Sequence, residues 1–593
     1  MTATLAARLG LARPSGADLR ADLVASLVVA AMFVPQAMAY GLLAGLSPVH
    51  GLYTAVAPVL VYALFGRSRF MAVGPVAITA LLVATGLEPL GLRDPAVYAA
   101  HARTLALLVG AVWVALAVLR AGFLVNFIGT PVIVGFNAAA ALLTAGSQLR
   151  PLLGIDPSVA PGASSAHPWP YLLHLLDAHP LSAAVGILSS AFLVAVGRWR
   201  PRWPGPLLVC VAGGALAWAL RLDARGLAVV GAVPKGLPPV APPLFDPDAV
   251  AALLPTAASI AVVGYASSIT VVKALAAKER EAVRPNAEMF ALGAANLAGS
   301  FFGAFPASAG LSRSAVVARA GARSKATMFL AGLWVLASLV WLAPIFFYLP
   351  KAVLAAIIAV SVARLFDVRK ALTVARAKPT DGLVVLATFA TTLALGLVEG
   401  LAAGIALALV VFIARSARPH SAELGRIPGS TVYRNVQRFA VETCPQVAIL
   451  RIDAPLYFAN ARFLEDRIER LVSARPNVKI VALECSSVGD MDATAVEALE
   501  RLVVMLRERG VALDLVGPIG PVRDILARSG LWDLIGPTRI HRTILEAAPV
   551  WMRRIDRTYC TNTCTHRAFP DCDEIPRRPA GTAHPQARFM PQI

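Results

Sequence analysis

Long apolar stretches recur along the first two thirds of the chain and then stop. Runs of about 17–25 residues, the length that crosses a bilayer as a helix, begin at Leu23 and recur until about Ala414. The pattern predicts helices near 22–42, 49–65, 75–88, 103–120, 130–146, 170–196, 205–220, 249–277, 285–301, 309–320, 326–346, 351–364, 380–396 and 398–414, fourteen elements of which several are short. From Arg415 to Val550 the period changes. Residues 447–453, 478–484 and 511–516 read as buried strands, and amphipathic helices near 461–474, 493–508 and 519–529 separate them. Strand–helix alternation of this kind predicts a sheet with helices packed on it. The expected organisation is a short N-terminal segment (1–21), a membrane body (22–416), an α/β domain (430–548) and a Cys-, Arg- and Pro-rich tail (549–593). The first apolar segment runs on into another span with no small-residue cleavage site, so it reads as a span and not as a leader.

Composition agrees with the pattern. Hydrophobic residues make up 57% of the 593, charged residues 15%, against about 25% charged in an ordinary soluble domain. A soluble enzyme and a disordered chain are both excluded as the main body. The net charge of +19 invites a nucleic-acid reading, but its location argues otherwise. In the membrane body, Lys and Arg fall about three to one on the side that holds the N-terminus, which predicts cytoplasmic N- and C-termini. The charge is then topological, and no basic groove with interleaved aromatics accompanies it.

Two places interrupt the spans in the same way. Phe70-Met71-Ala72-Val73-Gly74-Pro75-Val76-Ala77 and Gly303-Ala304-Phe305-Pro306-Ala307-Ser308-Ala309-Gly310 are short extended apolar runs, each followed by a half-length helix. Each lies two helices into its half of the chain. Paired broken segments at matching positions point to inverted repeats with a substrate site near the midplane. A helix that starts inside the membrane leaves N–H groups unpaired and puts a partial positive charge there, so two such starts facing each other suit an anion. Arg313, one turn into the second half-helix, sharpens the sign, because a guanidinium in a span needs a cavity or a partner. Ser308 and Ser312 are further donors. Simple packing roles for the serines, and an ion pair within the bundle for Arg313, are the competing readings.

Several segments resemble the SulP anion transporter family, also called the solute carrier 26 family. They are Pro35-Gln36-Ala37-Met38-Ala39-Tyr40-Gly41, Gly51-Leu52-Tyr53, Phe65-Gly66-Arg67-Ser68-Arg69, Val73-Gly74-Pro75, Pro285-Asn286-Ala287-Glu288 and Ser312-Arg313-Ser314-Ala315-Val316. Leu456-Tyr457-Phe458-Ala459-Asn460-Ala461 is similar to the start of the STAS domain that follows the membrane part in that family. The resemblance covers roughly residues 20 to 550. It implies an α-helical polytopic membrane protein of fourteen transmembrane segments in seven-plus-seven inverted repeats, followed by a cytoplasmic α/β STAS domain. A core of segments 1–4 and 8–11 would carry the substrate past a gate of segments 5–7 and 12–14, in an elevator-like movement and in a homodimer. It also implies the plasma membrane, the inner membrane of a bacterium, and no cofactor. Carried over position by position, the site comprises Gln36 and Tyr40 on the first segment and Gly74, Pro75 and Val76 on the third. Ser267 comes from the eighth segment, and Ala309, Gly310, Leu311, Ser312 and Arg313 from the tenth.

The chain departs from that family at informative places. Ala309-Gly310 stands where many relatives have Gly-Ser, and Val317 where they often have Asn. Many bacterial members carry an acidic residue where Ser267 stands. Ser267 cannot titrate near neutral pH, so Na⁺ or proton coupling through that position is in doubt, and exchange, uniport or proton coupling elsewhere in the chain is expected instead. Glu288 and Glu399 are the nearest acidic alternatives, with helix-end roles favoured for both. The expected substrate is an inorganic anion, sulfate first, with bicarbonate, chloride or a dicarboxylate as alternatives. A nucleobase carrier and a non-transporting signalling scaffold rank lower, since Arg313 disfavours a neutral base and the paired half-helices are intact.

In the C-terminal domain Thr494 occupies the position that can be phosphorylated in STAS relatives, although Thr494 with Glu497 also fits a helix capping box. The domain could bind a cytoplasmic partner. Cys560, Cys564, His566 and Cys572 lie within thirteen residues and could supply four metal ligands. Their spacing matches no standard finger, and a disordered tail with reduced thiols is the favoured reading.

Overall fold

The computed structural model describes residues 16–123, 129–159, 168–200, 203–279 and 283–575. It divides into two compact units, Met1–Ala408 and Leu409–Ile593. The expected N-terminal segment 1–21 lies outside the described residues up to 15.

The first unit is helical. Its elements are α1 (Gly16–Leu43), α2 (Pro48–Thr54), α3 (Ala57–Phe65), β1 (Val73–Gly74), α4 (Ala77–Leu87), α5 (Pro95–Val118), α6 (Thr130–Ser147), α7 (Pro180–Trp199), α8 (Gly205–Ala219), α9 (Pro247–Glu279) and α10 (Pro285–Ser300). They continue with β2 (Ser308–Ala309), α11 (Leu311–Arg319), α12 (Ala326–Ala337), α13 (Lys351–Ala363), α14 (Val368–Ala377), α15 (Pro379–Leu395) and α16 (Leu397–Ala417). Among the described residues, eight helical stretches are long and apolar enough to cross a membrane, and three more are apolar but shorter. The shortfall from fourteen comes from the broken and half-length elements around β1 and β2 and from the short α13.

Two expected boundaries differ. α5 starts at Pro95, eight residues before the expected 103, because Asp94 caps it by accepting the Ala96 N–H at 2.8 Å. The expected span 170–196 is two elements: a 3₁₀ segment ends at Asp177, and α7 begins afresh at Pro180. Proline is favoured there because its missing N–H would have had no helical partner.

Packing sorts the helices into two groups. α10 packs on α5 and α3, α12 on α1 and α3, and α9 on α5 and α4. Separately, α15 packs on α6, α13 on α7 and α6, and α8 on α7. These are the core and gate sets that the resemblance implies. Two buried carboxylates hold the first set together. Asp22 of α1 accepts the Arg323 and Ser324 N–H groups at 2.7 and 3.1 Å and the Thr327 hydroxyl at 2.7 Å, so it caps α12 from another helix. Glu288 of α10 accepts the Tyr62 hydroxyl at 2.6 Å and the Ser68 N–H at 2.9 Å. Glu288 thereby ties the first turn of α10 to the loop before β1, a helix-end role.

The second unit is a six-stranded sheet of order β4-β3-β5-β6-β7-β8, with β5 to β8 parallel and β3 antiparallel to both neighbours. Its strands are β3 (Ser421–Arg426), β4 (Tyr433–Asn435), β5 (Val447–Ile452), β6 (Ile480–Glu484), β7 (Ala512–Val516) and β8 (Ile540–His541). Helices α17 (Ala461–Ser473), α18 (Ala493–Glu508), α19 (Gly520–Arg528) and α20 (Leu531–Ile535) bury Ile468, Leu499 and Leu526 against alternate strand residues such as Leu450, Leu483 and Leu515. Residues placed in the tail cover the other face: α21 (Ile544–Arg554), α22 (Arg557–Asn562) and a 3₁₀ turn at Pro570–Glu574. Trp551, Met552, Phe569 and Cys572 are buried there against Ile449 and Ile480. The domain thus begins nine residues before the expected 430 and continues past 548. Up to residue 575 the expected disordered tail is folded, because the apolar back of a parallel sheet needs a cover.

Candidate functional site

The two broken segments meet. β1 and β2 pair antiparallel, with Val73 opposite Ala309 and Gly74 opposite Ser308. Extended backbone at this depth is tolerable only if its polar groups are satisfied, and side chains from four helices satisfy them. Asn296 of α10 accepts the Ala307 N–H at 2.8 Å and donates to the Ala307 carbonyl at 2.9 Å. Thr54 accepts the Phe305 N–H at 3.1 Å. Ser314 accepts the Ala72 N–H at 3.0 Å. Ser268 of α9 accepts the Ala309 N–H at 2.9 Å while donating to the Gly264 carbonyl at 2.6 Å.

Beyond the strands, α4 and α11 start with Val76 and Gly310 as N-caps, and neither has a side-chain capping bond. The first intrahelical bonds are Ala80 N–H to Val76 and Ser314 N–H to Gly310. The amides of the first three residues of each helix therefore have no partner from the helix itself. Both helix starts carry partial positive charge, and the strand pair holds them together.

Arg313 adds a full charge. It is 4% exposed, and its Nη1 and Nη2 atoms are buried without a hydrogen-bond partner. Its Cζ lies 4.8 Å from the centroid of the Phe33 ring. The guanidinium folds back across both segments. A Cβ on Gly74, whose φ is +147°, would lie 3.3 Å from Nη1, and one on Gly310 would lie 3.1 Å from Nε. Glycine at these two positions leaves room for the charge. Gln36 is also buried, with Oε1 unpartnered, and Tyr40 lies beside Arg313 and Ser361.

The expected site residues Gln36, Tyr40, Gly74, Pro75, Val76, Ala309, Gly310 and Arg313 thus belong to one locus. The backbones of Leu311 and Ser312 form the first turn of α11, and their side chains lie outside the described residues. The Ser308 and Thr79 hydroxyls share a hydrogen bond at 3.1 Å that links β2 to α4. Ser267 is half-buried, and the hydroxyl that meets β2 belongs to its neighbour Ser268. The adjacent identical residues hid this. Ser268, three positions beyond Tyr265 on a buried helix face, was the signal available.

Two cavities open within the first unit. One of about 640 Å³ runs between α1, α11, α7, α8 and α13 and is lined by Gln36, Ser361, Arg319 and Arg364. The other, of about 900 Å³, is lined by Tyr98, Gln148, Arg93, Arg150 and Lys351. Gln36 borders the first cavity, so the site communicates with the side that bears Arg319 and Arg364.

In the C-terminal unit, Asp492 caps α18 by accepting the Ala495 N–H at 2.8 Å. This replaces the expected capping box and leaves Thr494 exposed on the first turn, with Glu497 paired to Arg501. The four candidate metal ligands differ in exposure. Cys560 and Cys572 are buried, Cys564 is half-buried, and His566 is exposed. Among the described residues no group of three or more His, Cys, Asp or Glu side chains is placed to hold a metal ion. Burial pushes the Cys560 thiol up from its ordinary pKa, so it is not a ready thiolate.

Comparison with known proteins bears on the whole architecture. Residues 19–388 match the model of the sulfate permease family and residues 438–547 that of the STAS domain. A Mycobacterium tuberculosis protein described as "Probable sulfate transporter" is 34% identical over 539 residues, covering 90% of this chain and 96% of its own. Arabidopsis thaliana "Sulfate transporter 4.1, chloroplastic" is 35% identical over 561 residues, covering 90% and 80%. The structure of murine solute carrier 26 family member A9, an anion transporter in its inward-facing state, superposes with a TM-score of 0.83 at 24% identity over 91% of this chain and 92% of that one. The transmembrane domain of the cyanobacterial bicarbonate transporter BicA gives a TM-score of 0.58 at 21% identity over 65% and 98%. The chain is therefore a membrane transporter of the sulfate permease family, not an enzyme, with a C-terminal STAS domain and the fold shared by solute carrier 26 proteins.

Proposed function

We propose that this chain carries an inorganic oxyanion, sulfate first, across the membrane by moving the Arg313 locus past the gate helices in an elevator-type alternating-access cycle. The observation that carries the reading is the buried, unpartnered guanidinium of Arg313 between two uncapped half-helix starts. A buried charge left without a partner costs several kcal/mol, roughly 3–5 in typical cases, and a bound anion supplies that partner. The forked donors of Arg and the two sets of backbone amides suit several oxygens of one tetrahedral anion. The relatives described as sulfate transporters favour sulfate over other anions of similar size.

Ser267 and the fully engaged Glu288 leave the locus without a titratable acid, which favours exchange or uniport over cation symport. We place both termini on the cytoplasmic side, which makes the cavity at Arg319 and Arg364 the cytoplasmic mouth, in the inner membrane if the host is a bacterium. A homodimer is the expected assembly. STAS domain partners and modification at Thr494 belong to the same reading. The test is counterflow in proteoliposomes with sulfate, bicarbonate, chloride, fumarate and uracil, under imposed Na⁺ and pH gradients. Saturable sulfate counterflow that is indifferent to Na⁺ is expected. Uracil counterflow without sulfate counterflow overturns the anion assignment, and a steep Na⁺ dependence overturns the exchange reading.

A further inference from the structure

α14 is set apart from the long helices of the first unit. It holds no buried residue, and it joins the end of α13 at Ala363 to the start of α15 at Pro379. Both neighbours belong to the membrane body, so the linking residues 364–378 must lie at the bilayer surface. α14 touches the protein through α15 and α6: Ala375 packs on Gly382 of α15 so closely that a Cβ there would lie 2.8 Å from it. Its larger apolar side chains stay well exposed. Phe366 is 40% exposed, Val368 51% and Leu372 50%. At 100° per residue Val368 and Leu372 share one stripe. Arg369 and Arg376, seven residues apart, run along one edge of it, whereas Lys370 projects from the opposite face. Between 364 and 381 there are five basic residues and two acidic ones. One of the acids, Asp367, is already used: its side chain accepts the Lys370 N–H at 3.0 Å and caps the helix.

We propose that α14 is an anionic-phospholipid site. Its Val368–Leu372 stripe lies in the acyl boundary, and Arg369 and Arg376 bind phosphodiester headgroups of the leaflet. A short helix with an apolar stripe edged by basic side chains seats at a membrane interface through both components. Each basic residue near an anionic surface contributes roughly a fivefold gain in association. Charge complementarity favours the lipid surface over an apolar protein partner, since the exposed side chains along one edge of the stripe, Arg369 and Arg376, are cationic. The site would fix the depth of α13 and α15, and hence of the gate, in membranes that contain acidic lipid. This inference requires only that the chain spans a bilayer, and stands apart from the identity of the carried anion.

The test places an environment-sensitive fluorescent amino acid at position 372 of the full chain, in nanodiscs of phosphatidylcholine with and without phosphatidylglycerol. The emission is expected to shift to the blue when phosphatidylglycerol is present and to revert in high salt. The shift should vanish in the variant carrying Arg369→Gln and Arg376→Gln, with affinity for acidic lipid down roughly 25-fold. It should persist in a charge-matched control, Arg434→Gln with Arg438→Gln on β4 and the following turn. Thermal melting of each variant reports folding. Water-like emission in both lipids overturns the interfacial placement. A blue shift that is the same in both lipids, or untouched by the Arg369/Arg376 substitutions, overturns the headgroup site.

Discussion

Replacing Arg313 with alanine is the sharpest probe of the anion locus, because binding and stability should respond in opposite ways. Nη1 and Nη2 have no protein partner to lose, so a bound sulfate gains two charge-assisted hydrogen bonds from them. At about 1.5–3 kcal/mol for each such bond, Arg313→Ala weakens sulfate binding by about 3–6 kcal/mol. That is a loss of roughly two to four decades in affinity. The empty protein should not suffer. It loses the contact with Phe33, about 0.5–2 kcal/mol for a cation–π pair, but is relieved of a desolvated charge that costs more. The assay is thermal unfolding of the purified transporter across a sulfate titration, alongside equilibrium binding of labelled sulfate. Wild type should gain melting temperature with sulfate. The variant should start at an equal or higher temperature and gain nothing. Arg313→Lys should recover only part of the binding, since an ammonium keeps the charge but loses the planar fork. Sulfate affinity unchanged in Arg313→Ala would refute the reasoning, and a collapse of the empty protein would show that Arg313 is structural.

Two further outcomes test other parts of the description. Ser268→Ala leaves the Ala309 N–H without its acceptor, a loss of about 1–3 kcal/mol, and should lower both melting temperature and sulfate exchange, whereas Ser267→Ala should stay within about 0.5 kcal/mol of wild type; equal effects from the two would contradict the assignment of β2's anchor. In the C-terminal domain, burial raises the Asp514 pKa, but the bonds from His541, Arg554 and Trp551 outweigh it and hold the carboxyl below its ordinary value. A depressed folded value means the stabilisation is full above the unfolded pKa of about 3.9 and is lost as pH falls through the folded value. Hydrogen exchange of residues 544–575 should therefore stay slow down to about pH 4 and accelerate below it, while Asp514→Asn exchanges fast already at neutral pH. An acid profile shared by the variant and wild type would count against this latch.

The pattern of apolar positions carried most of the membrane fold, because each span must be apolar along its length whatever it packs against. The paired breaks were legible too, since Gly and Pro interrupt the apolar runs at matching places in the two halves of the chain. What one position decides was not. Ser267 and Ser268 differ only in which way the helix turns them, and the partner strand that makes the choice lies forty residues away. The capping of α18 by Asp492 in place of Thr494 was hidden for a similar reason, as both residues fit a helix start and the Phe458 N–H that also binds Asp492 comes from a distant loop. The folded segment beyond residue 548 was misread because its cover for the sheet is sparse: a few large side chains, Trp551 and Phe569 among them, set in charged sequence. Its anchoring carboxylate, Asp514, is on β7.

The unmatched guanidinium of Arg313 also has an electrical consequence. Empty, the locus carries about one positive charge, and with a divalent anion bound it carries about one negative charge. A full unit charge crossing the membrane field gains or loses about 2.3 kcal/mol per 100 mV. Voltage therefore drives the loaded stroke and the empty return stroke in opposite directions. Under a potential that is negative inside, the site would be pushed inward when vacant and outward when full. A transporter built this way would report membrane potential through where its unoccupied carriers wait.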